Sequence, residues 1–290
     1  MRKIYLLTTD HLEDGLWFRD EEDFKVAMNY IAIQAASCPE VIVLAFILMS
    51  NHVHFVLQGL EKDVLKFINQ FKQRYALYYH HKYGVVEFLR RNSVDLKEIP
   101  FTDNAIEMAI AYVQMNAVAA NICDQPDHYP WGTGSVFFNM NPQAGMRTGS
   151  LSGRQLRSML HTRFALFPDN WMISGAGYIL PHSYVAIKTV EAIFKTPKRM
   201  NYFLRTSSKA RKIIENGDDS LPAFRDQIIL QALPDLCRSL FHKNGFDYLS
   251  PDEKVEFVRQ IRYRFSADSK QIARVCGLTY DAASKLLDNY

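Results

Sequence analysis

The stretch from Val41 to Gly59 constrains this chain more than any other. VIVLAFILM, residues 41–49, is continuous, apolar and rich in β-branched residues. A run of that length without a polar side reads as a central strand buried on both faces. Ser50 and Asn51 follow, and then HVHFVLQG (52–59) reads as a second strand. Alternate side chains of a strand project to one face. His52 and His54 therefore share a face, while Val53 and Phe55 share the other. Two imidazoles one strand-step apart can bind a single divalent metal through their neutral nitrogens. Two partly buried polar residues at a sheet edge would look the same, so the pair needs a third ligand and a reacting group.

The flanking segments supply the rest of a sandwich. KIYLLTT (3–9) reads as a short strand, and 21–37 as a helix with an acidic first turn, ended by Pro39. A long helix is predicted over 62–83 and closed by Gly84. A short strand falls around Val94, and a further helix over 103–120. The order β-α-β-β-α-(β)-α is that of an α+β fold, a ferredoxin-like split βαβ sandwich with one extra helix. Residues 139–153, rich in Gly, Ser, Asn and Pro, read as a linker. That divides the 290 residues into a domain over 1–138 and a mostly α-helical extension over 154–290.

Helix 103–120 offers what the histidines need. Tyr112 and Asn116 are four residues apart, so they stack on one helix face. If that face looks across at the histidines, Asn116 completes a His-His-amide metal site. The Tyr112 oxygen is then held where it can attack a phosphodiester. An amphipathic core tyrosine and a solvated amide would show the same spacing. Tyr75, Tyr78, Tyr79 and Tyr83 on the long helix compete for the role, and chemistry alone does not choose among them.

Four segments, LMSNHVHFVL (48–57), QFKQRYALYYHHKYG (70–84), AYVQMNAVAANI (111–122) and HYPWGTGS (128–135), occur in a familiar order. Together they resemble the single-tyrosine HUH insertion-sequence transposases, above all the REP-associated tyrosine transposases, over about the first 140 residues. The resemblance implies His52 and His54 as metal ligands, Tyr112 as the nucleophile and Asn116 as an auxiliary ligand. It implies Mg²⁺ or Mn²⁺ as cofactor and single-stranded DNA, often a hairpin, as substrate. Strand transfer would pass through a covalent 5′-phosphotyrosine, as monomer or homodimer. Three departures stand out. Ala117 replaces the pattern's proline, with Ala119 and Asn121 in place of an arginine and a glycine; Ser50 stands where proline commonly precedes the Asn-His; and segment 85–100 keeps only a loose echo of the family's aromatic and basic stretch. None removes a catalytic group. They leave open the alternative of a domesticated DNA-binding regulator, weak or inactive in cutting.

Several basic positions fit a DNA partner. The long helix interleaves Lys66, Lys72, Arg74, His80, His81 and Lys82 with aromatics, and Lys72 and Arg74 are the candidates for backbone contact. Between Lys195 and Lys212 lie Lys198, Arg199, Arg205, Lys209 and Arg211 with no acid among them. Residues 269–290 carry Ile272, Ala273, Cys276, Gly277, Leu278, Ala283 and Leu286 at the spacing of a helix-turn-helix, with Thr279 as a cap. A plain helical hairpin fits the same spacing. In a helix-turn-helix, Tyr280, Asp281, Ser284 and Lys285 would face a duplex major groove.

Composition excludes other classes. The four cysteines, Cys38, Cys123, Cys237 and Cys276, form no CxxC pair, so neither a structural zinc site nor a disulfide framework is expected. No stretch approaches the ~18 apolar residues of a membrane span. The apolar start of the chain is broken by Thr8, Thr9 and Asp10, unlike a secretory leader. A cytoplasmic protein is expected. No GxxxxGK[ST] phosphate loop occurs.

Overall fold

The structure, a computed structural model, describes residues 2–10, 16–86, 88–89, 92–102, 104–120, 122–160, 162–164, 166–207, 226–265, 267 and 269–288. Its first part runs β1 (Lys3–Thr9), α1 (Glu21–Ser37), β2 (Ile42–Met49), β3 (His52–Gly59), α2 (Glu61–Tyr83), β4 (Val94–Ile99), α3 (Ala105–Gln114) and α4 (Asn116–Ala119). The strands form one antiparallel sheet in the order β2-β3-β1-β4. β3 thus lies between β1 and β2, and β1 between β3 and β4, which interlocks two split βαβ units. Mixed helix and sheet, with the helices packed on an antiparallel sheet, agrees with the α+β expectation.

Local chemistry sets the boundaries. Asp20 caps α1 with a reciprocal box: its side chain accepts from the Asp23 N–H, and the Asp23 carboxylate accepts from the Asp20 N–H. Gly84 ends α2 in the left-handed region, φ +70°, where its N–H reaches the His80 carbonyl. The one long helix expected over 103–120 is interrupted at Met115. Asn116 turns its amide nitrogen back onto the carbonyls of Tyr112 (2.8 Å) and Val113 (3.2 Å), competing with the backbone for them.

The two faces of the sheet differ. Phe55 meets Phe46 on β2 and Phe67 and Phe71 on α2, with ring centroids about 6 Å apart, in a layer closed to solvent. Each such fully buried ring contributes roughly 1.5–3 kcal/mol by leaving water. The opposite face carries the histidines and is covered by α3, which packs on β2 and β3. The outer edge of β2 is not left bare. Leu48 donates to the Trp131 carbonyl at 2.8 Å and Thr133 to that of Phe46 at 3.0 Å. Gly132 permits this approach, because a Cβ there would sit 3.0 Å from the Phe46 carbonyl oxygen.

The chain continues to pack on the first part through and beyond 139–153. Residues 146–147 form β5 (Met146–Arg147), and α5 (Gly153–Met159) and β6 (Met172–Ile173) follow. Leu156, Leu160, Trp171 and Ile173 close over Ala32 and Ile33 of α1. α6 (Ile187–Phe194) and α7 (Pro197–Thr206) bury Val190, Phe194, Met200 and Phe203 in the same core as the sheet. A separate core begins only with α8 (Asp226–Phe241), α9 (Pro251–Phe265), α10 (Ser269–Cys276) and α11 (Tyr280–Asp288). Leu16, from before α1, is buried in that second core. Gly277, φ +66°, makes the turn from α10 to α11, and the Thr279 hydroxyl caps α11 by accepting from the Ala282 N–H. Among the described residues no helix is long and apolar enough to cross a membrane.

Candidate functional site

His52 and His54 lie on the α3-covered face of β3, their ring centroids 4.7 Å apart and their planes nearly perpendicular. Both are buried. Each ring is tethered through Nδ1. His52 Nδ1 lies 2.7 Å from the Asn51 carboxamide oxygen, and His54 Nδ1 lies 2.9 Å from the Thr8 hydroxyl. Asn51 Oδ1 can only accept, so His52 Nδ1 is the donor in that contact. Register explains the second tether, because Thr8 on β1 is the direct cross-strand partner of His54. Sequence reading missed Thr8 and Asn51. Asn51 was legible as the neighbour of the pair, whereas Thr8 needed the strand order.

Tyr112 meets this pair. Its ring sits edge-to-face against His54 at 5.5 Å, half-buried, and burial raises its phenol above the ordinary value. Three rings from β3 and α3 therefore come together although 58 positions separate Tyr112 from His54 in sequence (112 − 54). Asn116 is buried one turn further on, its amide nitrogen committed to the helix carbonyls described above. Only its oxygen is then suited to a cation. Among the described residues no three His, Cys, Asp or Glu side chains gather where one ion could be held.

The competing tyrosines are occupied elsewhere. Tyr75 is fully buried and its hydroxyl donates to the Trp17 carbonyl. Tyr78 and Tyr83 donate to the buried Asp23 carboxylate, both at 2.8 Å. Burial and that neighbouring negative charge push both phenols far up. Tyr79 stacks on Phe88 at 3.6 Å and is pushed up to about 12 by burial.

The basic candidates separate into committed and exposed. Lys72 is one of the committed cations. It is buried, its ammonium donates to the Asn92 carbonyl, and desolvation lowers its pKa. Arg199 is likewise paired, with the Glu107 carboxylate at 2.9 Å and the Asn104 side-chain oxygen at 2.7 Å. The acid that the 195–212 run lacks comes from α3, which α7 packs against. Arg74, Lys198, Arg205 and Lys285 are exposed. Lys209, Arg211 and Lys212 lie outside the described residues.

No protein-family model matches the chain, and no curated protein matches it. Among solved structures, a REP-associated tyrosine transposase bound to a REP hairpin aligns at 13% identity over 45% of this chain and 76% of that one, with a TM-score of 0.34. At that score the likeness bears on neither mechanism nor substrate.

Proposed function

We propose that the chain is a metal-dependent tyrosine DNA endonuclease and transposase of the HUH type, built on a ferredoxin-like sandwich. One observation carries this reading: Tyr112 lies against a pair of neighbouring histidines, each tethered through Nδ1. The residues fit a divalent cation by their donor chemistry. His52 and His54 would hold Mg²⁺ or Mn²⁺ through Nε2, with the Asn116 oxygen as third ligand. Bound there, the metal supplies neutralisation of the scissile phosphate's charge.

The chain's own residues do the remaining work. Tyr112 Oη attacks phosphorus, forming a P–O bond as the bond to the 3′ oxygen breaks. The phenol gives up its proton and the released 3′ oxygen gains one. The DNA is left joined through its 5′ phosphate to Tyr112, and a 3′-hydroxyl attacking that linkage rejoins the strand. The bond energy is kept in the phosphotyrosine, so no nucleotide is consumed. A phenol raised by burial gives up its proton as it attacks. Substrate is single-stranded or hairpin DNA. Lys198, Arg205 and Arg74 are the exposed cations suited to phosphates. We assign the α10–α11 pair as a helix-turn-helix that holds duplex beside the nick, with Tyr280, Ser284 and Lys285 toward the groove.

A second reading, a DNA-binding regulator that cuts weakly or not at all, is favoured by the Asn116 amide turned onto its own helix. One experiment separates the two. Labelled single-stranded hairpins and Mn²⁺ are mixed with the protein and with Tyr112→Phe and His52→Ala. A covalent adduct on a denaturing gel, lost in both variants, supports the nuclease. Tight binding without adduct across a wide set of hairpins and metals selects the regulator.

A further inference from the structure

The end of α9 reaches the turn that carries the histidines. The Ser50 hydroxyl donates to the Arg264 carbonyl. That carbonyl belongs to the last turn of α9, where helix carbonyls have no partner inside the helix and must find one outside. Both residues are buried, Ser50 at 3% exposure and Arg264 at 2%. Such a bond, sealed from water, is hard to exchange for a solvent one. The Arg264 side chain strengthens the same junction, since its guanidinium donates to the Arg19 carbonyl at 3.1 Å and to Gln260 Oε1 at 3.1 Å.

The segment Leu16–Arg19 closes the loop between the two cores. Leu16 is buried among the C-terminal helices. The Trp17 and Phe18 N–H groups both donate to the Ser50 carbonyl, at 2.8 and 3.2 Å. Arg19 accepts from Arg264. Ser50 is therefore gripped at its carbonyl by one strand of chain and at its hydroxyl by α9. Asn51 comes next, with its side-chain oxygen fixing His52 Nδ1 at 2.7 Å. Two hydrogen bonds joined through the Ser50–Asn51 backbone lead from the C-terminal helical unit to one imidazole of the pair.

We propose that Ser50 is a positioning residue through which the docked C-terminal helices hold the Asn51–His52 turn in the geometry that the metal site needs. Its function as a metal-site support rests on the nuclease reading above; the coupling itself does not. The C-terminal unit then does more than hold DNA. It completes the site in the sheet unit, and loosening α9 loosens His52.

The test uses the full chain with Ser50→Ala, and with Ser50→Thr, which keeps the hydroxyl. Amide hydrogen exchange in metal-free protein reads the coupling. Ser50→Ala is expected to speed exchange at least several-fold at residues 16–19 and 50–54 and in the last turn of α9, leaving α2 and β4 unchanged, and Ser50→Thr to stay near the parent. Mn²⁺ titration followed by electron paramagnetic resonance reads the site. Loss of such an outer support weakens metal binding about tenfold, and Ser50→Thr should restore it. Exchange in Ser50→Ala within twofold of the parent throughout 50–54 would overturn the coupling. Faster exchange with unchanged Mn²⁺ affinity would overturn the positioning role. A parent that binds no Mn²⁺ would instead refute the nuclease reading, and the exchange data would still decide the coupling.

Discussion

Two helices carry tyrosines toward the sheet, and they use them differently. On α2, four phenols lie at near-helical spacing over one face and are absorbed into structure: one on a backbone carbonyl, two on Asp23, one flat against Phe88. On α3, the Tyr112 ring lies edge-to-face against His54 of the pair. A tyrosine whose hydroxyl already serves a buried acceptor cannot leave it without uncovering that acceptor. The tyrosines left open by residue type thus differ in what each ring touches. Acidity does not separate the two helices, since burial raises the phenols on both.

The difference should be largest in stability. Tyr75→Ala empties a fully buried site in the aromatic layer and is expected to cost about 3–5 kcal/mol in denaturant unfolding. Tyr112→Phe should cost clearly less than Tyr75→Ala while abolishing the adduct. A large loss of stability in Tyr112→Phe would erase the contrast. More gently, Tyr75→Phe leaves the Trp17 carbonyl without its donor, a loss of roughly 1–3 kcal/mol.

The alkaline limb sharpens the same comparison. Tyr79 is raised in the folded state to about 12. A raised folded pKa means that the native state holds more protons than the unfolded chain between the two values. Its stabilisation is therefore complete below about pH 10 and is lost as pH rises toward 12. Absorbance titration should show the α2 phenolates appearing together with unfolding, and Tyr79→Phe should flatten that slope. Phenolate absorbance growing from Tyr79 in a still-folded protein would contradict its assignment to the core.

The smallest effect concerns α3 and α7. Arg199 is partly exposed, so Arg199→Ala should cost no more than about 1 kcal/mol. Because its charge is spent on Glu107, it should alter the salt dependence of DNA binding less than Lys198→Ala or Arg205→Ala. An equal or larger change for Arg199 would return it to the DNA-contact set.

Much of the sheet unit was legible from local pattern. The run 41–49, the alternation at 52–59 and the helix over 21–37 are signals contained within a few turns of chain, and the strands and helices stand where they fall. The pairing of His52 with His54 follows from the period of a strand. What local pattern does not carry is whatever depends on distant partners. Lys72 looks free because Asn92 is twenty residues away, and Arg199 because Glu107 is on another helix. A Gly- and Pro-rich stretch at 139–153 reads as a linker, yet the chain beyond it returns to pack Phe194 and Phe203 onto the sheet. The hitch at Met115 arises from a side chain competing with its own helix, which periodicity does not register. Ser50 stands out only as a departure from the family pattern, since its partner lies 214 residues downstream.

The most direct test of the central claim is to identify the residue that DNA becomes joined to. The parent protein would be reacted with a single-stranded hairpin and Mn²⁺, digested with nuclease and protease, and its peptides sequenced by tandem mass spectrometry. The account predicts a nucleotide phosphate on Tyr112. A phosphate on Tyr75, Tyr78, Tyr79 or Tyr83 would contradict it.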